Sequence, residues 1–309
     1  MNTLQNKRVS VIIPNYNYAR YIKKRIESVL RQTYPIYELI ILDDCSADDS
    51  VEKIESVLKK HGLDFEKYTF DSEKHNSANN REEKNHTHKN QKLKVKLVLN
   101  GKNSGKAMLQ WKKGVELAGG DYVWIAEADD LARSHFLEEV MKGFDEPGVV
   151  ISYAESEIIN SMGLMIAPNF RWSRDKEKTG HYSKSYIKDG ADEIREIMAV
   201  RCTIPNVSAV VFKKDQNLLK NFDETFKFAQ AGDWYLYLKV LESGKIAYNK
   251  KSLNKFRVHK RSVTGKNKNT NQHLKEIIEI HEMVGKKYKL SDEVKEYIRL
   301  EEERLKNRE

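Results

Sequence analysis

The first 60 residues alternate short β-branched runs with segments of helical period. Val9 to Ile13 reads as a buried strand ended by Pro14, and Ile22, Ile26, Val29 and Leu30 form the stripe of an amphipathic helix laid on a sheet. Glu38 to Leu42 is a second strand, running into Asp43 and Asp44. Val51, Ile54, Val57 and Leu58 mark a second helix, with Ser46, Asp48 and Asp49 available as N-terminal caps and Gly62 as its stop. Such strand–helix order predicts a parallel sheet. The pattern then breaks, because residues 71–92 are rich in Asn, Lys, Glu and His and read as an exposed polar insertion. Leu93 to Leu99 is the next strand. Asn103, Ser104 and Gly105 open a helix carrying Met108, Trp111, Val115 and Ala118, which stops at Gly119 and Gly120. Tyr122 to Ala126 is a further strand ending in Glu127, Asp129 and Asp130, after which Ser134 is placed to cap a helix with Phe136, Leu137, Val140 and Met141. Val149 to Tyr153 and Val207 to Phe212 complete the strands, and from Leu274 the chain reads as charged and helical.

Composition excludes several classes. At 39% hydrophobic and 33% charged residues, the 309-residue chain is polar but holds enough apolar side chains to bury a core, so global disorder is not expected. No apolar run approaches the roughly 18–20 residues of a membrane span. The polar start from Met1 to Arg8 carries no secretory h-region, which predicts a cytoplasmic protein. Cys45 and Cys202 are too few for a disulfide framework or a metal knuckle, and reduced thiols are expected. Net charge is +9, and its location says more than its size: between Lys250 and Lys268 stand eight Lys or Arg and no acidic residue. Clustered cations suit a polyanion, whether nucleic acid, an anionic membrane surface or a phosphorylated small molecule.

Four constellations could carry chemistry. Asp43 and Asp44 end a parallel strand, the edge at which α/β proteins hold ligands, although the same residues are ordinary turn material. Glu127, Asp129 and Asp130 crowd three carboxylates into four residues, with strand alternation placing Glu127 and Asp129 on one side and Asp130 on the other. They could hold magnesium or manganese, or cap the following helix. Asp233 begins a probable helix, as a cap or as a general base beside a cleft. Arg257, His259, Arg261, Ser262 and Thr264 could grip a diphosphate, His259 could instead ligate a metal, and the whole run could be a solvated basic loop.

Taken together, Val9–Asn17, Glu38–Ser46, Asn103–Gly105, Gly120–Asp130 and Gly232–Asp233 resemble, in order and spacing, a family 2 glycosyltransferase with the GT-A fold. The resemblance implies an α/β fold with a Rossmann-like mixed, mainly parallel sheet flanked by helices and a C-terminal helical extension. It places the GT-A domain at 1–268, an acceptor-side region at 170–205 and a helical tail at 269–309. It further implies that Pro14, Tyr16 and Asp44 line the nucleotide pocket, supported by Asp43 and Asn103, with Asp129 on the nucleotide side. Asp130 then matches the direct ligand of Mn2+ or Mg2+ on the donor diphosphate, and Asp233 the base of an inverting displacement. The chain differs from the usual pattern in Glu127 for Asp, Gly232 for Glu, and Cys45 for Gly. It also has Pro168 where processive synthases carry Gln before Arg171 and Trp172, which implies transfer of one or a few sugars.

Acceptor recognition falls to the stretch after Phe170, where Trp172, His181 and Tyr182 could stack on a sugar or pack in a core. The implied partners are a UDP or dTDP sugar and a glycan or lipid-linked glycan acceptor, with peripheral contact to an anionic membrane at the inner face of the plasma membrane and no nucleic acid. Polysaccharide or cell-surface glycan synthesis is the implied pathway. A sugar nucleotidylyltransferase is a competing reading that calls for a Gly-rich loop after the first strand, where this chain has Pro14–Asn17. A non-catalytic nucleotide-sugar or polyanion-binding module is another, and it predicts salt-sensitive binding without turnover.

Overall fold

In the computed structural model, residues 7–70, 81–82, 93–171, 180–259 and 271–307 are described. Along the chain these form β1 (Val9–Asn15), α1 (Ile22–Leu30), β2 (Glu38–Asp43), α2 (Ser50–Lys60), β3 (Glu66–Phe70), β4 (Arg81–Glu82), β5 (Lys94–Asn100), α3 (Ala107–Leu117), β6 (Tyr122–Ile125), β7 (Leu131–Ala132), α4 (Phe136–Met141), β8 (Val149–Ile159), β9 (Met165–Ala167), β10 (Tyr186–Asp189), β11 (Val210–Lys213), α5 (Gln216–Thr225), α6 (Gly232–Leu241), β12 (Lys245–Arg257), α7 (Asn271–Lys287) and α8 (Asp292–Lys306).

One mixed sheet runs in the order β10-β12-β8-β11-β6-β1-β2-β5-β3-β4, with β7 on β12 and β9 on β8. β6, β1, β2, β5 and β3 are parallel, so their C-terminal ends share one edge, and β11 pairs antiparallel with β6. Cores lie on both faces. Ile22, Ile26 and Val29 of α1, Ile54 and Leu58 of α2 and the apolar residues of α4 bury against one side, while Trp111 and Val115 of α3 with α5 and α6 bury against the other. α3 comes very close to β1: a Cβ on Gly114 would stand 2.4 Å from Cγ2 of Ile12, so glycine there sets the depth at which the helix docks.

Several elements differ from the periodic reading, each for a physical reason. Pro14 lies inside β1, opposite Leu42, where a strand near its end tolerates the missing N–H. β8 is 11 residues long and buried throughout; Ser152, Glu155 and Ser156 interrupt its apolar pattern, but Val140 O, the Tyr248 hydroxyl and the Asn254 amide satisfy them. The helix expected to be capped by Ser134 begins after His135, and its Leu137 N–H is taken instead by Oε1 of Gln32 at 2.9 Å. Val207–Ala209 form a helical turn before β11 rather than strand. Arg81–Glu82, within the expected insertion, pair with β3; the rest of 71–92 lies outside the described residues. The C-terminal helices share the main core, since Ile277, Ile280, Val284, Leu290 and Val294 bury among residues of α3, α5 and α6. No helix among the described residues is long and apolar enough to cross a membrane.

Candidate active site

The first part of the site forms where β1, β2 and β5 end. The Asn15 amide donates to Oδ2 of Asp43 at 2.7 Å, and Asp43 in turn accepts from the Ser46 N–H and hydroxyl at 2.9 and 2.7 Å. Asp43 therefore closes the β2–α2 turn. Within that turn Cys45 has φ 63°, the left-handed region that favours glycine. Asp44, 4% exposed, accepts from the Asn100 amide at 2.6 Å, the Ser104 N–H and hydroxyl at 3.0 and 2.7 Å, and the Gln110 amide at 2.9 Å. The Asn103 amide donates to Asp44 O at 3.0 Å, which ties the loop before α3 to the end of β2. Tyr16 stands 46% exposed at the same edge and Pro14 is buried beneath it. The Lys113 ammonium reaches Oδ1 of Asn100 at 2.6 Å and sits 3.7 Å from the Phe70 ring; burial pulls it down to about 8.

The acidic segment after β6 is a turn, closed by the Asp130 N–H on Glu127 O at 3.2 Å, so strand alternation does not govern its side chains. Glu127 accepts from Nε1 of Trp111 at 2.5 Å. Oδ2 of Asp129 lies 2.8 Å from Nε2 of His259, whose ring packs against Tyr18 and Tyr21. Oδ1 of Asp130 accepts the Arg257 N–H at 2.8 Å. Burial, with the neighbouring carboxylates adding to it, pushes Glu127 up to about 8 and holds Asp130 above the usual carboxylate range. Beside these carboxyls stands Arg25, fully buried, with Nε donating to Glu127 O at 2.7 Å and both terminal nitrogens without a hydrogen-bond partner among the described residues.

Such a turn fits a divalent cation. Carboxylate oxygens are the donors that Mn2+ and Mg2+ favour, and these ions commonly use one or two protein ligands and complete their shell with water and phosphate. Among the described residues no group of three His, Cys, Asp or Glu could hold an ion by side chains alone.

Asp233 sits in the first turn of α6, partly buried, with the Trp234 N–H on its Oδ1 at 2.8 Å. Burial pushes its carboxyl up to about 6, and that N–H holds it back. One turn along, the Tyr237 hydroxyl is buried with no hydrogen-bond partner among the described residues, and both Asp233 and Glu127 act on it electrostatically.

Other residues singled out in the sequence have different surroundings. Arg257 is buried beneath the acidic turn: its Nε donates to Asp129 O at 2.6 Å and one terminal nitrogen to Asn160 O at 2.8 Å, so it braces the turn through backbone carbonyls. Tyr182 is 1% exposed, edge-on to Tyr248, and packs in the core instead of offering a face to a sugar. His181, expected beside it on the acceptor side, has its ring against Tyr182 and Tyr186 and pairs with buried Glu193 at 3.6 Å. Trp172, Arg261 and Ser262 lie outside the described residues. Asn100, Ser104, Gln110, Arg25 and Trp111 are the site residues that sequence reading misses as functional. For Arg25 and Gln110 the signal is a polar side chain on the buried side of α1 or α3; Asn100 ends β5 and Ser104 stands in the loop before α3, where polar residues are ordinary.

The fold is a mixed α/β sheet with carboxylates gathered where its parallel strands end, and comparison with known sequences gives the family. The profile described as Glycosyl transferase family 2 matches residues 10–82 and 71–204, and the chain belongs to that family. Among curated relatives, the UDP-Glc:alpha-D-GlcNAc-diphosphoundecaprenol beta-1,3-glucosyltransferase WfgD of Escherichia coli is 25% identical over 242 residues, covering 77% of this chain and 72% of that protein. The putative teichuronic acid biosynthesis glycosyltransferase TuaG of Bacillus subtilis is 30% identical over 47% of this chain and 45% of its own length. An uncharacterized glycosyltransferase of Nostoc is 30% identical, but the match spans only 34% of its length. In fold, the chain is similar to S. aureus TarS 1-349 in complex with UDP (TM-score 0.57, 16% identity, 94% of this chain and 69% of that one). It is also similar to the mannosyltransferase PcManGT of Pyrobaculum calidifontis in complex with GDP-Man and Mn2+ (TM-score 0.59, 16% identity, 96% and 70%).

Proposed function

We propose that the chain is an inverting, metal-dependent glycosyltransferase that moves a sugar from a UDP or dTDP sugar to a hydroxyl of a glycan or lipid-linked glycan, in polysaccharide or cell-surface glycan synthesis. The observation that carries this reading is Asp233: a partly buried carboxyl in the first turn of α6, raised to about 6, which acts with Glu127 of the acidic turn on the Tyr237 hydroxyl. At neutral pH it is ionised yet basic enough to accept a proton.

In the proposed step the acceptor hydroxyl gives its proton to Asp233 as its oxygen attacks the anomeric carbon. The bond from that carbon to the diphosphate oxygen breaks, and its electron pair leaves with the nucleoside diphosphate. Asp44, with Pro14, Tyr16, Asp43 and Asn103 around it, would seat the nucleoside at the ends of β1 and β2. Asp130 and His259, beside Asp129 on the nucleotide side, would hold Mn2+ or Mg2+, which would supply positive charge next to the departing diphosphate. Arg257 and Arg25 keep the acidic turn in place through its carbonyls. Support comes from the UDP and the GDP-Man with Mn2+ bound by proteins of similar fold, and from the lipid diphosphate acceptor in the name of the E. coli relative. A lipid-linked acceptor would bring the chain to the inner face of the plasma membrane.

The test is a panel of UDP-, dTDP- and GDP-sugars, with and without Mn2+, read as released nucleoside diphosphate. Turnover of a UDP or dTDP sugar that requires the metal is expected, and Asp130→Ala and Asp233→Ala should each lower it by at least ~100-fold, the scale of lost electrostatic or acid–base catalysis. Turnover of no donor, or near-native rates in Asp233→Ala, would remove the reading.

A further inference from the structure

Residues 229–231 form the turn that leads into α6, and their N–H groups point away from the helix they precede. All three end on one carboxylate, that of Glu276 in α7: Ala229 donates to Oε1 at 2.8 Å, and Gln230 and Ala231 donate to Oε2 at 2.8 and 2.9 Å. The Gln272 amide, one turn earlier on α7, donates to Oε1 at 2.9 Å and fixes the rotamer. Glu276 is 2% exposed, and the four donors outweigh burial and hold its carboxyl below the usual range. Ala231 is the N-cap of α6 and makes no side-chain cap of its own, so a side chain from another helix supplies the acceptor for this helix start.

Asp233 stands two residues beyond that contact. On its other side, Trp234 donates from Nε1 to Met198 O at 3.0 Å and meets the ring of His281 edge-on at 5.6 Å. His281 belongs to α7 as well, five residues after Glu276, and bridges Val200 O and Glu302 at 3.0 and 2.9 Å. One helix therefore grips the chain before and after the carboxylate. The family match ends at residue 204, so nothing in it assigns a role to α7.

We propose that Glu276 is a positioning residue for the general base, holding the 229–231 turn so that Asp233 faces the acceptor hydroxyl. The inference rests on the reading of Asp233 as the base. Its physical content is that a carboxylate accepting three backbone N–H bonds defines the position of the turn far more narrowly than water would. Glutamine in its place can accept on only one atom and turns an amide N–H toward a donor.

The experiment compares wild type, Glu276→Gln, Asp233→Asn and the double variant on the panel donor that wild type turns over best. UDP binding is measured by calorimetry with Mn2+, and amide hydrogen exchange is followed at 229–235. Glu276→Gln should lower kcat by about 10-fold or more, on the scale of a misplaced catalytic group, with the donor KM and the UDP Kd within about 2-fold of wild type. Exchange at Ala229–Ala231 should accelerate in the same variant. Because Glu276 acts through Asp233, adding Glu276→Gln to Asp233→Asn should cost less than about 2-fold more. Losses that multiply, or equal losses in kcat and UDP binding, would give Glu276 a merely structural role and overturn the proposal. A full-rate Glu276→Gln beside a crippled Asp233→Asn would sink this inference and leave the base assignment standing; a full-rate Asp233→Asn would sink both. Should Glu276→Gln fail to fold, Gln272→Leu replaces it, and a smaller fall in kcat with unchanged UDP binding is then required.

Discussion

Cys45 adopts φ 63°, the region that favours glycine, and its side chain makes a long 3.6 Å approach of Sγ to Gly101 O. A left-handed backbone costs a non-glycine residue about 1–2 kcal/mol, part of which glycine gives back through its freer unfolded chain. Cys45→Gly should therefore raise stability by about 0.5–1 kcal/mol in urea unfolding; a loss of stability would show that the thiol contact matters. Asp44 is the opposite case, because every neighbour of its carboxylate is a donor. Asp44→Asn turns an amide N–H toward Asn100, Ser104 or Gln110 and should cost about 1–3 kcal/mol of stability along with UDP affinity; unchanged UDP binding by calorimetry would contradict its place in the nucleotide pocket. At this scale the sequence shows which residues are acidic and where strands end, but not what surrounds them. The donors to Asp44 come from β5 and α3, about 60 residues along the chain, and the burial that raises Asp233 comes from packing around α6. Tyr182 shows the reverse limit: a residue in a stretch without period looks available for a ligand until its ring is found against Tyr248.

Strands and helices with a clean period were legible, and those whose polar residues find buried partners were not. β1, α1, β2 and α2 follow their apolar spacing to within a residue or two. β8 reads as five residues because Glu155 and Ser156 break the pattern after Tyr153, yet the Tyr248 hydroxyl and the Asn254 amide of β12 satisfy them. The segment from Leu274 reads as an appended charged tail because its apolar face is narrow. That face is nevertheless buried, through Ile277, Ile280, Val284, Leu290 and Val294. At about 1.5–3 kcal/mol for each side chain its burial is on the order of 10 kcal/mol, similar to the whole stability of a typical domain. A chain shortened to end at residue 270 should lose its cooperative thermal transition; an unchanged Tm would show that α7 and α8 are dispensable.

The molecule as a whole places its chemistry where a parallel sheet leaves room for it. β1, β2, β5 and β6 end at one edge with Asp43, Asp44, Asn100 and the acidic turn, and Asp233 stands in the first turn of α6. The basic run that dominates the charge map of the sequence turns out to be divided in use. Among its described cations, Arg257 is buried under the acidic turn, and Lys251 and Lys255 pair with Glu139 and Glu157. The account depends on Asp233 taking a proton, and the most direct measurement is kcat/KM for nucleoside diphosphate release against pH. Below the Asp233 pKa the carboxyl already carries a proton and cannot accept another; above it the carboxylate is free to act. The profile should rise with unit slope on the acid side and level off above an apparent pKa of about 6, and that limb should vanish in a much slower Asp233→Asn. A flat profile between pH 5 and 8, or the same limb persisting in Asp233→Asn at a native rate, would contradict it.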